Sequence, residues 1–203
     1  TVWKLGEHRV MCGDSTSSDD VAKLMNGEKA DITFTSPPYN IGKLNFEGQG
    51  KYQNTKDDNI EDWFKLMIDF TSISLEFSGY AFINLQLLYS NKNRMFDYLA
   101  RFKDDFVQEF IWCKSNMASI NKNAVNSNHE HIYVFKKGAQ KRTIEIGREF
   151  HGKIGSWFEC NRASNNKYAA IHKATFVVEL PEKFIIDFKP KSLLDPFCGT
   201  GTS

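Results

Sequence analysis

The chain has no paired cysteines of the CxxC kind. Cys12, Cys113, Cys160 and Cys198 stand singly, which argues against a zinc ribbon. The first three read as ordinary strand or loop residues of a reducing compartment. His129 and Glu130 have no third ligand at a suitable spacing, so no metal is expected. There is no apolar run of about 18 residues and no basic-then-apolar leader. The expectation is a soluble, cytoplasmic protein with no membrane partner. An excess of charge is also missing. Lys and Arg number 26 against 25 Asp and Glu, a net charge of +1, so any nucleic-acid surface must be a local patch. Repeats and low-complexity stretches are absent. Aromatic residues, in contrast, are plentiful. Seventeen Phe in 203 residues are too many for a ligand site, so most belong to a core that one domain of this length can build.

Hydrophobic patterning predicts a short strand at Arg9–Cys12, a short helix marked by Val21, Leu24 and Met25, and a buried strand at Ala30–Thr35. The double proline at 37–38 ends that strand, because proline cannot feed a sheet ladder. Residues 40–58 are polar and read as a long loop; with Lys43, Lys51 and Lys56 it could close over DNA, and the plainer reading is a disordered connection. A helix follows over about 60–77, then a strand at Tyr80–Leu85 and a helix over about 91–102. Strands at Phe106–Cys113 and His131–Phe135 have no helix between them and read as a hairpin. A helix within Val177–Phe188 precedes a final strand at Ser192–Asp195. Strand–helix alternation predicts a Rossmann-like α/β fold, its sheet mostly parallel with an antiparallel hairpin at one edge.

Two motifs follow predicted strand ends. The first is Thr35-Ser36-Pro37-Pro38-Tyr39-Asn40. The prolines keep the backbone extended beyond the sheet. There the Ser36 oxygen and a Pro37 carbonyl can accept both hydrogens of an exocyclic amino group, and Tyr39 can stack on an extruded base. The plainer reading is a strand-ending Pro-Pro turn with a packed Tyr. The second is Leu194-Asp195-Pro196-Phe197-Cys198-Gly199-Thr200-Gly201-Thr202, a strand running into a small-residue loop, as where Rossmann-like folds admit a cofactor. It lacks the Lys of a P-loop, and on its own it is also the pattern of an ordinary strand-to-helix turn. Ligands in doubly wound sheets bind outside the carboxyl ends of the strands. If the two strands are neighbours, both motifs face one crevice.

TSPPYN followed far downstream by LLDPFCGTGT resembles the DNA amino-methyltransferases whose motif order is circularly permuted, with the catalytic tetrapeptide first and the cofactor glycines last. The resemblance extends to His129–Lys136 (HEHIYVFK), to His172–Phe176 and to Glu179-Leu180-Pro181. The opening, Trp3–Gly6, His8-Arg9 and Cys12–Thr16, is similar to methylase domains that follow a ParB-like domain. By this resemblance the cofactor is S-adenosylmethionine and the partner is double-stranded DNA, methylated at adenine N6 or cytosine N4. A homodimer and a restriction endonuclease partner are further expectations. Ser36, Pro37, Pro38 and Tyr39 would hold the target base. Asp195, Phe197, Gly199 and Gly201 would line the cofactor pocket, with Thr200 and Thr202 near the methionine carboxylate. His172 would border the methionine moiety, and Asp14 would lie near the adenine end of the cofactor.

Lys173 and Val177 stand where the family usually has proline. Ser36 stands where adenine enzymes usually carry Asp or Asn; Ser there is commoner in cytosine-N4 enzymes but also occurs in adenine ones. No Pro-Cys pair occurs, which argues against carbon-5 methylation of cytosine. Cys198 reads as a small packing residue. Residues 1–203 read as one catalytic domain that stops just after the cofactor loop, a fragment of something longer. Residues 137–170 read as a DNA-recognition insertion, because Lys136–Lys173 carries nine Lys or Arg against three Glu; by charge alone a solvated loop fits equally well. The competing functions are an RNA or protein-amide methyltransferase and a catalytically incomplete DNA-binding remnant.

Overall fold

The computed structural model describes residues 1–40, 62–115, 125, 127–147, 151–160, 177–199 and 201. It opens with a two-stranded antiparallel ribbon, β1 (Val2–Leu5) and β2 (His8–Met11), then α1 (Ser18–Met25). The main body is a six-stranded sheet with α2 (Trp63–Phe77), α3 (Lys92–Arg101) and α4 (Glu179–Phe188) packed on it. Its strands are β3 (Ala30–Thr35), β4 (Ser78–Leu85), β5 (Phe106–Lys114), β6 (His129–Phe135), β7 (Trp157–Cys160) and β8 (Leu193–Leu194).

The spatial order is β7-β5-β6-β4-β3-β8. Neighbours β3 and β4, β3 and β8, and β5 and β7 are parallel, while β6 runs antiparallel to both β4 and β5. The expected α/β sheet, mostly parallel, is present. The β5–β6 hairpin, however, sits one strand in from the margin, because β7 pairs outside β5. Sequence patterning gave no sign of β7, whose four residues alternate between exposed and half-buried. It also missed β1, which is mostly exposed.

Both faces of the sheet are covered. On one side α4 sets Leu180, Phe184 and Phe188 against Ile32, Phe34, Phe82, Phe110, Ile132 and Val134. On the other, α2 and α3 set Trp63, Met67, Phe70, Met95 and Tyr98 against Ala81, Ile83, Tyr133 and Phe135. A smaller cluster joins Val21 of α1 to Ala30 and Leu194. Many of the Phe residues are therefore core. Rings of Phe82, Phe110, Phe184 and Phe188 stand 5.3 to 6.4 Å from one another, the spacing of favourable aromatic pairs.

α2 is anchored at both ends. Asp62 caps it by accepting from the Lys65 backbone N–H at 3.1 Å, which satisfies one of the free donors of the first turn. At the other end Ser78 turns the chain directly into β4; its hydroxyl donates to the Ser74 carbonyl at 2.7 Å and accepts from Thr33 Oγ1 at 2.9 Å. With so tight a connection, the N-terminus of α2 comes back to the carboxyl ends of β3 and β4, where both sequence motifs emerge.

Candidate active site

β8 pairs with β3 in parallel, Ile32 opposite Leu193 and Thr33 opposite Leu194. The two motif-bearing strands are thus immediate neighbours and end at the same edge. A hydrogen bond joins the loops that follow: Thr35 Oγ1 donates to Asp195 Oδ1 at 2.6 Å, between residues 160 positions apart in sequence. The Phe197 backbone N–H donates to the same oxygen at 2.9 Å, which curls the loop back over the strand end. Gly199 and Gly201 have φ of 51° and 74°, left-handed values that side-chain-bearing residues rarely adopt. Among the described residues no heavy atom lies within 4 Å of where a Cβ would stand at Gly201, so the backbone at that position is open to a ligand.

The SPPY turn is held from three directions. Trp63 Nε1 on α2 donates to the Pro38 carbonyl at 2.6 Å. Asn91, fully buried at the start of α3, donates through Nδ2 to the Tyr39 carbonyl at 2.7 Å and to the Gln86 carbonyl at 3.0 Å. Ser90 Oγ donates to the Asn40 carbonyl at 2.9 Å. With the Pro38 and Tyr39 carbonyls taken up inward, no described residue donates to the Pro37 carbonyl.

Side chains of the turn enter a buried polar network. The Ser36 and Tyr39 hydroxyl oxygens are 3.1 Å apart. The Tyr39 hydroxyl donates to Glu130 Oε2 at 2.8 Å. Asn84 Nδ2 donates to the Tyr39 hydroxyl and, at 2.8 Å, to the same Glu130 oxygen. Lys114 Nζ pairs with Glu130 Oε1. Glu130 is 6% exposed and Asn84 1%, and the Asn84 Oδ1 has no hydrogen-bond partner among the described residues. Sequence patterning began the strand at His131 and left Glu130 just ahead of it, whereas β6 starts at His129; Asn84, Asn91, Lys114 and Trp63 went unnoticed. Only Asn84 left a trace, as a lone amide in the apolar run Tyr80–Leu85.

The remaining expected residues scatter. Phe197 packs edge-on against Phe70, centroids 5.0 Å apart at 89°, so its ring is seated on α2 as well as bordering the loop. Asp14 sits ahead of α1. Its carboxylate takes the Thr16 hydroxyl at 2.7 Å and the Thr16 N–H at 2.8 Å, and these bonds, with a smaller pull from Lys65, hold its pKa below the usual carboxylate range. Lys65 lies on the first turns of α2, so Asp14 faces the motif end of the sheet. Cys198 is exposed, which corrects its reading as a packing residue. Desolvation within the loop and then the Asp195 charge raise the pKa of its thiol, the wrong direction for a nucleophilic thiolate. His172, Thr200, Thr202 and the loop beyond Asn40 lie outside the described residues.

A Rossmann-like sheet with an open glycine loop and a prolyl turn on adjacent strand ends defines the class of S-adenosylmethionine-dependent methyltransferases. A family profile described as DNA methylase, covering N6 and N4 methyltransferases, matches residues 30–203, and the chain belongs to that family. No curated protein matches it in sequence. Among solved structures it is similar to PvuII DNA methyltransferase, cytosine-N4-specific, at 19% identity and TM-score 0.62, over 94% of this chain and 74% of that one. M1.HpyAVI in complex with SAM matches at 17% identity and TM-score 0.54, over 95% and 84%. A DNA modification methylase of Thermus thermophilus, TTHA0409, matches at 18% and 0.56, over 94% and 79%. At these identities the structural likenesses carry the fold, and the profile carries the family. The chain is accordingly a DNA amino-methyltransferase that uses S-adenosylmethionine.

Proposed function

We propose that Ser36, Pro37, Pro38 and Tyr39 hold the amino group of a flipped base, and that the Asp195–Gly201 loop holds S-adenosylmethionine beside it. The observation that carries this is the Thr35–Asp195 hydrogen bond at 2.6 Å, which fixes the base turn and the cofactor loop against each other. The left-handed backbone at Gly199 and Gly201, with open space at Gly201, fits a cofactor that approaches closely. When bound, S-adenosylmethionine supplies an electrophilic methyl group on a sulfonium.

The protein's part is positioning and electrostatics. The lone pair of an exocyclic amine is delocalised into the ring, so the nitrogen is a poor nucleophile until it is held close and aligned. The Ser36 oxygen and the Pro37 carbonyl accept its two hydrogens and favour a tetrahedral nitrogen. Fixed acceptors lose little reorganisation energy during transfer. The buried network beneath Tyr39 fixes where that ring stands. In the same reading His172, Thr200, Thr202 and Asp14 border the cofactor.

Residues 137–170 serve as the DNA-recognition insertion. Strand β7 runs parallel to β5, so the chain leaves Cys160 at the same edge of the sheet as Ser36. The four free cysteines suit a cytoplasmic setting. Among the described residues no helix is long and apolar enough to cross a membrane. A permuted motif order, a homodimer and a restriction endonuclease partner follow from the family resemblance.

The test is a pair of measurements on one preparation: equilibrium binding of S-adenosylmethionine, and methyl transfer to unmethylated duplex DNA beside RNA. Tyr39→Ala and Pro38→Ala should keep cofactor binding within about threefold and lose at least about 100-fold in transfer, the scale on which a misplaced reacting group costs rate. Equal transfer by variants and wild type would refute these base-holding roles.

A further inference from the structure

We infer that Glu130 is a positioning residue that sets the direction of the hydrogen-bond chain ending at Ser36, and so makes the Ser36 oxygen an acceptor. The inference rests on Ser36 facing the substrate amino group, as proposed above.

Glu130 stands on β6 between Asn84 of β4 and Lys114 of β5, nearly inaccessible to solvent. Its Oε1 is paired with the Lys114 ammonium, and a carboxylate can only accept. The Tyr39 hydroxyl, 2.8 Å from Oε2, must therefore give Glu130 its one hydrogen. The phenolic oxygen is left with two lone pairs. One takes Asn84 Nδ2; the other faces the Ser36 hydroxyl at 3.1 Å. With no hydrogen left on the Tyr39 oxygen to give, Ser36 must be the donor of that pair. Its single hydrogen points inward; Asn84 Nδ2 stands 3.5 Å from its oxygen as a long donor contact, and the lone pair that remains faces the substrate.

That polarity is the one the chemistry needs. An exocyclic amino group brings two N–H donors, and its lone pair must stay available for the methyl group. If the chain ran the other way, Ser36 would aim its O–H outward. It would then either repel the amino hydrogens or bond to the nitrogen lone pair and quench the nucleophile. Glu130 touches neither reacting atom. It acts through Tyr39.

The test compares Glu130→Gln in three backgrounds: wild type, Tyr39→Phe and Ser36→Ala. A Gln amide can present a hydrogen to Tyr39 and reverse the chain. In the wild-type background it should lower kcat on duplex DNA on the order of 100-fold, the effect of misplacing one preorganised polar group in a reacting site, and leave the KM for S-adenosylmethionine unchanged. In the Tyr39→Phe or Ser36→Ala background the same change should cost less than about threefold, because nothing is left to orient. Glu130→Asp, still acceptor-only, should recover most of the rate. Equal losses in all three backgrounds, or a loss confined to cofactor KM, would mean a structural role and overturn the inference. Should Glu130→Gln not fold, the wild type decides by NMR of the Tyr39 hydroxyl proton: contacts to the Glu130 side chain support the inference, contacts to Ser36 refute it. Methyl transfer by the wild type is the control. If it is active and Glu130→Gln matches it, only this inference falls; if the wild type never methylates DNA, the base-site reading falls with it.

Discussion

At the scale of single residues, a few short polar contacts at strand ends tie the two motif loops together. Thr35 is fully buried and gives Asp195 a charge-assisted hydrogen bond. Thr35→Val keeps the volume and removes the donor, so it should cost about 1.5–3 kcal/mol of stability, read as a lower urea midpoint, and weaken cofactor binding as the loop loses its tether. Cys198 offers a different check. Its pKa is raised, so the thiolate fraction at pH 8 is below that of an ordinary thiol and grows only as pH climbs further. Iodoacetamide should modify this exposed cysteine slowly at pH 8 and markedly faster near pH 10, followed by peptide mass spectrometry. Fast labelling at pH 7 would show an activated thiol and reopen its chemical role. At this scale the sequence told most where chemistry is concentrated in consecutive residues. Ser36–Tyr39 and Asp195–Gly201 could be read directly. Asn84, Asn91, Lys114 and Glu130 meet Tyr39 only through the sheet and the β4–α3 turn, and single amides or charges in unrelated segments carry no local signature of that meeting.

At the scale of elements, strands β3, β4 and β6 and helices α2 and α3 were legible because each carries an apolar period long enough to exclude alternatives. Of the strands missed, β1 is exposed, and β7 is a short strand at the sheet margin with one face to solvent, where burial imposes little pattern. The hairpin was recognised, but its place inside the sheet depends on β7 and could not be read without it. Two element-scale outcomes follow. Gly79 at the start of β4 stands so close to β3 that a Cβ there would meet the Asp31 carbonyl at 2.8 Å. Gly79→Ala should push the strands apart and destabilise by about 1–3 kcal/mol, seen in thermal unfolding. Asn91 ties the β4–α3 turn to the catalytic turn through a fully buried amide. Asn91→Ala leaves the Tyr39 and Gln86 carbonyls without that donor, and should cost about 1–3 kcal/mol together with methyl-transfer rate, while cofactor affinity holds.

At the scale of the whole molecule, the fold makes one edge of the sheet reactive. Parallel pairing of β8 with β3 sends two loops out side by side; α2 returns its N-terminus to the same edge; and β6, running antiparallel to its neighbours, starts there and so delivers Glu130 beneath the turn. The aromatic core on the α4 face packs beneath the strands that carry that edge. Phe184, in ring contact with Phe34, Phe82, Phe110 and Phe188, should cost about 3–5 kcal/mol when cut to Ala. The role proposed for this edge is methylation of an exocyclic amine of DNA. Its most direct test is mass spectrometry of nucleosides from unmethylated duplex DNA incubated with the protein and S-adenosylmethionine bearing a deuterated methyl group. The expected result is label on adenine N6 or cytosine N4, and its loss in Tyr39→Ala. Label on cytosine carbon 5, or on RNA with none on DNA, would contradict it.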